Sequence, residues 1–245
     1  MAITKPVYRT YRPSTGSAYI EDPRYATDAL HYIKAFLLIQ KDLLQLFDYI
    51  EPSDINLNTY SFRIHELLIR SCIEVEANFK AIFLANNYPH LKPKDWNIIS
   101  YSDLNQTHKL SSYRIVIPNW HGKIKSIVPF ASFKKDDLKL KSPYWYKAYN
   151  ETKHDRHEKF TSATLKNLMG AVTGLLAVLS SQFYTNDFSS SNPELCFENP
   201  MYENTEEGIG GYFRVQFPIF PKKDCYDCKN SDLTSPGFNL EPYGN

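Results

Sequence analysis

The sequence has almost no excess of either charge: 28 lysines and arginines stand against 27 aspartates and glutamates in 245 residues, a formal net charge of +1. A diffuse electrostatic attraction to bulk nucleic acid or to an anionic membrane surface is excluded on that ground. Long apolar runs are missing too. The longest, 169–179, is too short to span a bilayer, and the opening MAITKPVYRTYRPSTG has no apolar segment of the signal-peptide kind. Cysteine is scarce. Cys72, Cys196, Cys225 and Cys228 are too few for a disulfide framework in a chain of this length. Together these absences predict a soluble, cytoplasmic protein without a membrane partner. Present in quantity are apolar and aromatic residues, 42% and 15% of the chain, enough to bury one large core.

Proline maps the organisation, because it is excluded from helix interiors, where it removes a hydrogen bond and clashes with the preceding turn. Four long windows lack it: 24–51, 53–88, 94–117 and 144–192. In the first, Leu30, Ile33, Leu37, Gln40, Leu44 and Phe47 recur at helical spacing after Asp22-Pro23, a fitting cap and first-turn pair. In the second, Tyr60, Ile64, Leu67, Leu68, Val75, Phe79 and Phe83 form a similar stripe, and Glu66/Arg70, Arg70/Glu74 and Glu76/Lys80 add opposite charges four apart. Ser142-Pro143 opens a third helix, expected to run to about Arg156. The most apolar stretch, 160–183, is expected to be the central helix, with Gly170 and Gly174 placed where a neighbour can come close. YRIVIPNWHGKIKSIVPFASF reads as a short hairpin turning at 119–122, confined by Pro118 and Pro129 to a sheet edge or surface flap. YFRVQFPIF, after the glycines at 208–211, reads as another strand. The expected organisation is an extended arm over 1–22, a helical domain over 23–188 with a β insertion at about 111–133, and an irregular extension over 189–245. The predicted fold class is mainly α: an antiparallel helical bundle with a small β-hairpin insertion.

One segment carries chemistry: WYKAYNETKHDRHEKF, 145–160. On a single helix Lys147, Asn150, His154 and His157 fall three, four and three apart and share one face, while Trp145, Ala148, Tyr149 and Thr152 face the other way. Such a helix packs its aromatic side inward and presents a row of cations around a side chain that exchanges protons near neutral pH. This equipment suits a phosphodiester: a histidine moves protons, and lysine or arginine stabilises charge developing on the non-bridging oxygens.

Read from Tyr149 to His154, the segment resembles the R-N-x-x-x-H signature of the HEPN superfamily (higher eukaryotes and prokaryotes nucleotide-binding), with Tyr149 where the signature has arginine. The resemblance extends in outline over 24–183, since HEPN proteins are compact helical bundles in which the motif helix precedes an apolar helix. It implies a metal-independent endoribonuclease in prokaryotic defence or toxin-antitoxin biology, working on RNA, with a homodimer or a protein partner and no cofactor. It also implies the roles. His154 and Asn150 take the motif positions, Lys153, Arg156 or Lys147 supplies the missing cation, and Tyr149, His157, Arg70 and Glu74 line the substrate side. The alternative is a non-catalytic HEPN-like module that binds a nucleotide or a partner protein.

The remaining patterns are weaker. Arg114 and His121 also have the motif's spacing, but IVIPNW between them reads as strand and turn. Cys225-Tyr-Asp-Cys228 is half of a zinc knuckle without a second half, because all seven histidines precede residue 158, so no metal is expected.

Overall fold

A computed structural model of the chain describes residues 29–134, 141–184 and 205–221. The fold is mainly helical, with helices α1 (Ala29–Phe47), α2 (Phe62–Ala85), α3 (Ile98–Tyr101), α4 (Leu104–His108), α5 (Tyr144–His154), α6 (Arg156–Lys159) and α7 (Leu165–Phe183). Four short strands, β1 (Arg114–Val116), β2 (Ser126–Ile127), β3 (Glu206–Glu207) and β4 (Arg214–Gln216), form one antiparallel sheet in the order β2-β1-β4-β3. Among the described residues no helix is long and apolar enough to cross a membrane.

The central element is α7, where every residue from Leu168 to Phe183 is buried. It packs against α2, α1 and α5, so the three long apolar stripes bury one another as expected, and Trp145 and Tyr149 close the side of the same core. Gly170 and Gly174 serve this packing. A Cβ on Gly174 would come within 2.9 Å of Trp145 Cζ2, and one on Gly170 within 2.7 Å of Trp145 Cδ1, so the indole lies directly on the backbone of α7. Its Nε1–H donates to the Pro129 carbonyl at 2.9 Å, which satisfies the polar atom of a ring that is 0% exposed.

Some expectations need correction. The inward face of α1 is wider than the stripe read from spacing: Ile33, Phe36, Ile39, Gln40, Leu43 and Leu46 are buried, Leu37, Leu44 and Phe47 pack partly buried against the core, and Leu30 is 64% exposed. The hairpin does lie at a sheet edge, with β2 as the outer strand, but it is not a detached flap, because β1 pairs with β4 on its other side (Ile115 with Val215); Pro118 and Pro129 flank the strands, so no ladder hydrogen bond is lost. The central helix begins at Leu165, capped by Thr164 Oγ1, and 160–162 forms a 3-10 turn instead. The strand expected in YFRVQFPIF is present as β4, and the span otherwise expected to be an irregular extension also contributes β3, with Ile209, Phe213 and Val215 in the main core. The arm over 1–22 and Cys196, Cys225 and Cys228 lie outside the described residues.

The hairpin loop is clamped by Asp54, which opens a 3-10 turn (Asp54–Asn58). Its carboxylate accepts from Trp120 Nε1 at 2.8 Å and from the backbone N–H groups of Lys123 and Ile124 at 2.6 and 3.3 Å. Gly122, at φ +141°, is required there: a Cβ would sit 2.3 Å from Asp54 Cγ. The Trp120 bond first, then the Lys123 amide, holds the Asp54 carboxyl below the usual aspartate range. A depressed folded-state pKa means stabilisation that is complete above the unfolded value of about 3.9 and fades as pH falls through the lower folded value. Thermal unfolding of wild type and Asp54→Ala should therefore show a gap at neutral pH that closes as the pH is taken below about 3.9. A gap independent of pH would show that the charge of Asp54 contributes nothing.

Candidate functional site

Helix α5 follows Pro143 and ends at His154, and the break comes at Asp155, whose backbone (φ −138°, ψ 64°) leaves the helical region. Asp155 then caps the next turn, its side chain accepting from the Glu158 N–H at 3.3 Å. The consequence is a corner. Lys147, Asn150 and His154 share a face of α5, but His157 lies beyond the break on α6 and does not continue the row. Lys153, His154, Arg156 and His157 are all exposed around this corner.

The motif positions divide as the periodicity requires. Tyr149, at the signature's arginine position, is 1% exposed, and its hydroxyl accepts from Lys153 Nζ at 3.1 Å. Burial raises the Tyr149 hydroxyl pKa, with the Lys153 hydrogen bond working against it, while that same bond raises the Lys153 ammonium. Lys153 thus remains a cation held one helical turn from Tyr149. Asn150 is half-buried and His154 exposed, and among the described residues neither side chain has a hydrogen-bond or ion-pair partner. Lys147 reaches Glu151 at 3.7 Å, and His157 reaches Glu158 at 3.8 Å. Arg114 and His121 sit on β1 and in its loop, as their sequence context implies.

Arg70 and Glu74 do not join this group. Both lie toward α1: Arg70 pairs with Asp42, and Glu74, its carboxyl pKa raised by burial, interacts with His31 and Arg70. The face of α2 turned to α5 carries His65, Cys72 and Glu76. Glu76 accepts from the Tyr146 hydroxyl at 2.5 Å and acts electrostatically on Lys153. Cys72 is buried, and its thiol is pushed well up by the loss of solvent. His65 lies against the Phe160 ring, 5.7 Å between centroids, and burial together with the positive charge of Arg156 lowers its pKa, a backbone hydrogen bond to Thr152 opposing them. His65 thus lies between α2 and the corner, with its charged form disfavoured. A seven- and four-residue spacing, 65, 72 and 76, puts these three on one helical face, and that spacing is the signal by which His65 could have been singled out.

Chemically the corner offers an amide and an imidazole free to meet a ligand, and a lysine ammonium on the same helix end held by the Tyr149 hydroxyl. Among the described residues no group of three or more histidine, cysteine, aspartate or glutamate side chains is placed to hold a metal ion. Compared with protein-family models, with curated proteins and with solved structures, the chain matches none.

Proposed function

We propose that this protein acts on RNA at the α5–α6 corner, as a metal-independent endoribonuclease with a HEPN-like helical architecture. The observation that carries this reading is the pair Asn150 and His154, four apart on one face of α5 and without partners among the described residues. Side chains that are free to hydrogen-bond, on a helix end that also carries an ammonium, are what a phosphate group needs. Lys153 supports the reading further. It is anchored by Tyr149, the residue that stands where the signature has arginine, so a cation is retained near that position as a point charge instead of a bidentate fork.

The reaction uses no external nucleophile. The RNA 2′-oxygen attacks the adjacent phosphorus, its proton passes to a base, the P–O5′ bond breaks, and the departing 5′-oxygen takes a proton. The products are a 2′,3′-cyclic phosphate and a 5′-hydroxyl. Lys153 and Arg156 stabilise the pentacoordinate oxyanion. DNA lacks the internal nucleophile, so in EDTA the protein should cut single-stranded or transfer RNA and leave DNA of the same sequence whole. Equal cutting of both, or cutting abolished by EDTA, would overturn this reading.

The second reading, a binding module without catalysis, is favoured by one observation: the buried position of Tyr149, which puts no guanidinium at the surface there. In that case RNA binds and is released intact.

A further inference from the structure

An aromatic cluster adjoins the corner. Phe160, which follows α6, has Phe62 at 4.6 Å between ring centroids and Tyr60 at 5.9 Å, the latter edge-on. Phe62 is 70% and Tyr60 49% exposed. Phenylalanine is seldom left in water to this degree when a helix has a core face on which to place it; α2 buries Ile64, Leu67 and Leu68 and leaves the Phe62 ring outside. The rings stand on stiff backbone. Tyr60 bridges to Thr164, the Leu165 N–H donates to the Thr59 carbonyl at 2.8 Å, and Ser61 caps α2. The backbone that carries them is thus held in place before any ligand arrives, which limits the entropy lost on binding.

The rim of the cluster is charged. Arg156 and Lys159, on the turn leading into Phe160, have no carboxylate partner among the described residues; of the acids on the same turn, Asp155 accepts from the Glu158 N–H and Glu158 lies 3.8 Å from His157. Exposed rings beside unpaired cations complement a polymer whose units each carry a π face and a phosphate. A purely apolar partner would leave Arg156 and Lys159 without counter-charges.

We infer that Tyr60, Phe62 and Phe160 form a base-stacking platform that, with Arg156 and Lys159, holds a single-stranded stretch of RNA beside His154. The inference deepens the RNA reading above and rests on it for the ligand class. It adds a binding determinant remote from the motif: affinity resides in the platform and the two cations, and the strand continues from there onto the end of α5. Because every base has a π face, the platform is tolerant of sequence.

The test is binding, measured in EDTA by fluorescence anisotropy of a labelled oligouridylate, on a His154→Ala background so that no substrate is consumed. Phe62→Leu keeps an apolar side chain but removes the ring, and should weaken binding by about 5- to 100-fold; Phe62→Trp should bind at least as tightly as the parent. Replacing the oligouridylate by an abasic strand of equal charge should weaken the parent and leave Phe62→Leu little changed. Arg156→Ala and Lys159→Ala should each flatten the salt dependence by roughly one phosphate contact. Since Phe62 is exposed, these variants should melt with wild type, which checks that they fold. An oligouridylate bound equally by Phe62→Leu and the parent, or bound by neither, overturns the platform. So does a parent dimer in sedimentation that Phe62→Leu dissociates without any effect on RNA. Failure of the nuclease reading looks different: RNA bound through Phe62 but never cut leaves the platform standing.

Discussion

His154→Ala should slow RNA cleavage by about 100- to 10,000-fold, the usual effect of losing a positioned general acid or base. The imidazole is the side chain suited to exchanging a proton near neutral pH, and His154 is exposed at the last residue of α5, so its removal disturbs no packing and the loss is chemical. Asn150→Ala removes one hydrogen bond to the substrate and should cost about 10-fold. The measurement is a single-turnover rate on RNA in EDTA, with the melting temperatures of both variants expected to equal that of wild type. Cleavage by His154→Ala at the wild-type rate would remove His154 from the chemistry.

Trp145→Ala should destabilise the fold by about 3–5 kcal/mol, the range for deleting a large aromatic side chain from a packed core. The indole is 0% exposed, lies against both glycines of α7, meets the Phe130 ring at 5.6 Å and satisfies the Pro129 carbonyl. Glycine has no side chain with which to refill the space, and the residues around the vacated site belong to different elements, so collapse is limited. The carbonyl left behind adds an unsatisfied acceptor. For a domain of this size the melting temperature should fall by roughly 10 °C. A loss below about 1 kcal/mol in denaturant unfolding would mean that the site relaxes and that α5 is not fastened to α7 through this ring.

The helices were legible where a stripe was narrow and blurred where it was broad. On α2, Ile64, Leu67, Leu68, Val75, Phe79 and Phe83 were read from spacing and are buried, whereas Tyr60, read as part of the same stripe, lies before the helix and is 49% exposed. On α1, by contrast, apolar residues occupy nearly the whole circumference, so spacing revealed the helix and not its inward side: Leu30 and Ile33 were equivalent on paper, and only Ile33 is covered. The break at Asp155 was missed because a polar helix face and a cap use the same residue types. Asp155 with Glu158 three positions on is a capping pattern, and it outweighed the i, i+3 run that joined His157 to His154. For the site, the inward Tyr149 and outward Asn150 and His154 follow from periodicity alone. Which face of α2 meets them does not: Arg70 and Glu74 were equivalent to Glu76 as charges, and tertiary packing turns only Glu76 toward α5.

The pairing of β1 with β4 has a consequence for how the protein is made. A ribosome releases β1 well before β4, and in the interval β1 has only the two-residue β2 beside it. Its other edge, with Ile115 that will later be wholly covered, is an open row of hydrogen-bonding groups of the kind that recruits a strand from another chain. The sheet can close only once β4, which follows α7 in the chain, has been made, and until then this edge of β1 has no strand partner. Residues 205–221 act in this sense as a latch, and a translation product that stops short of them carries its sticky edge permanently.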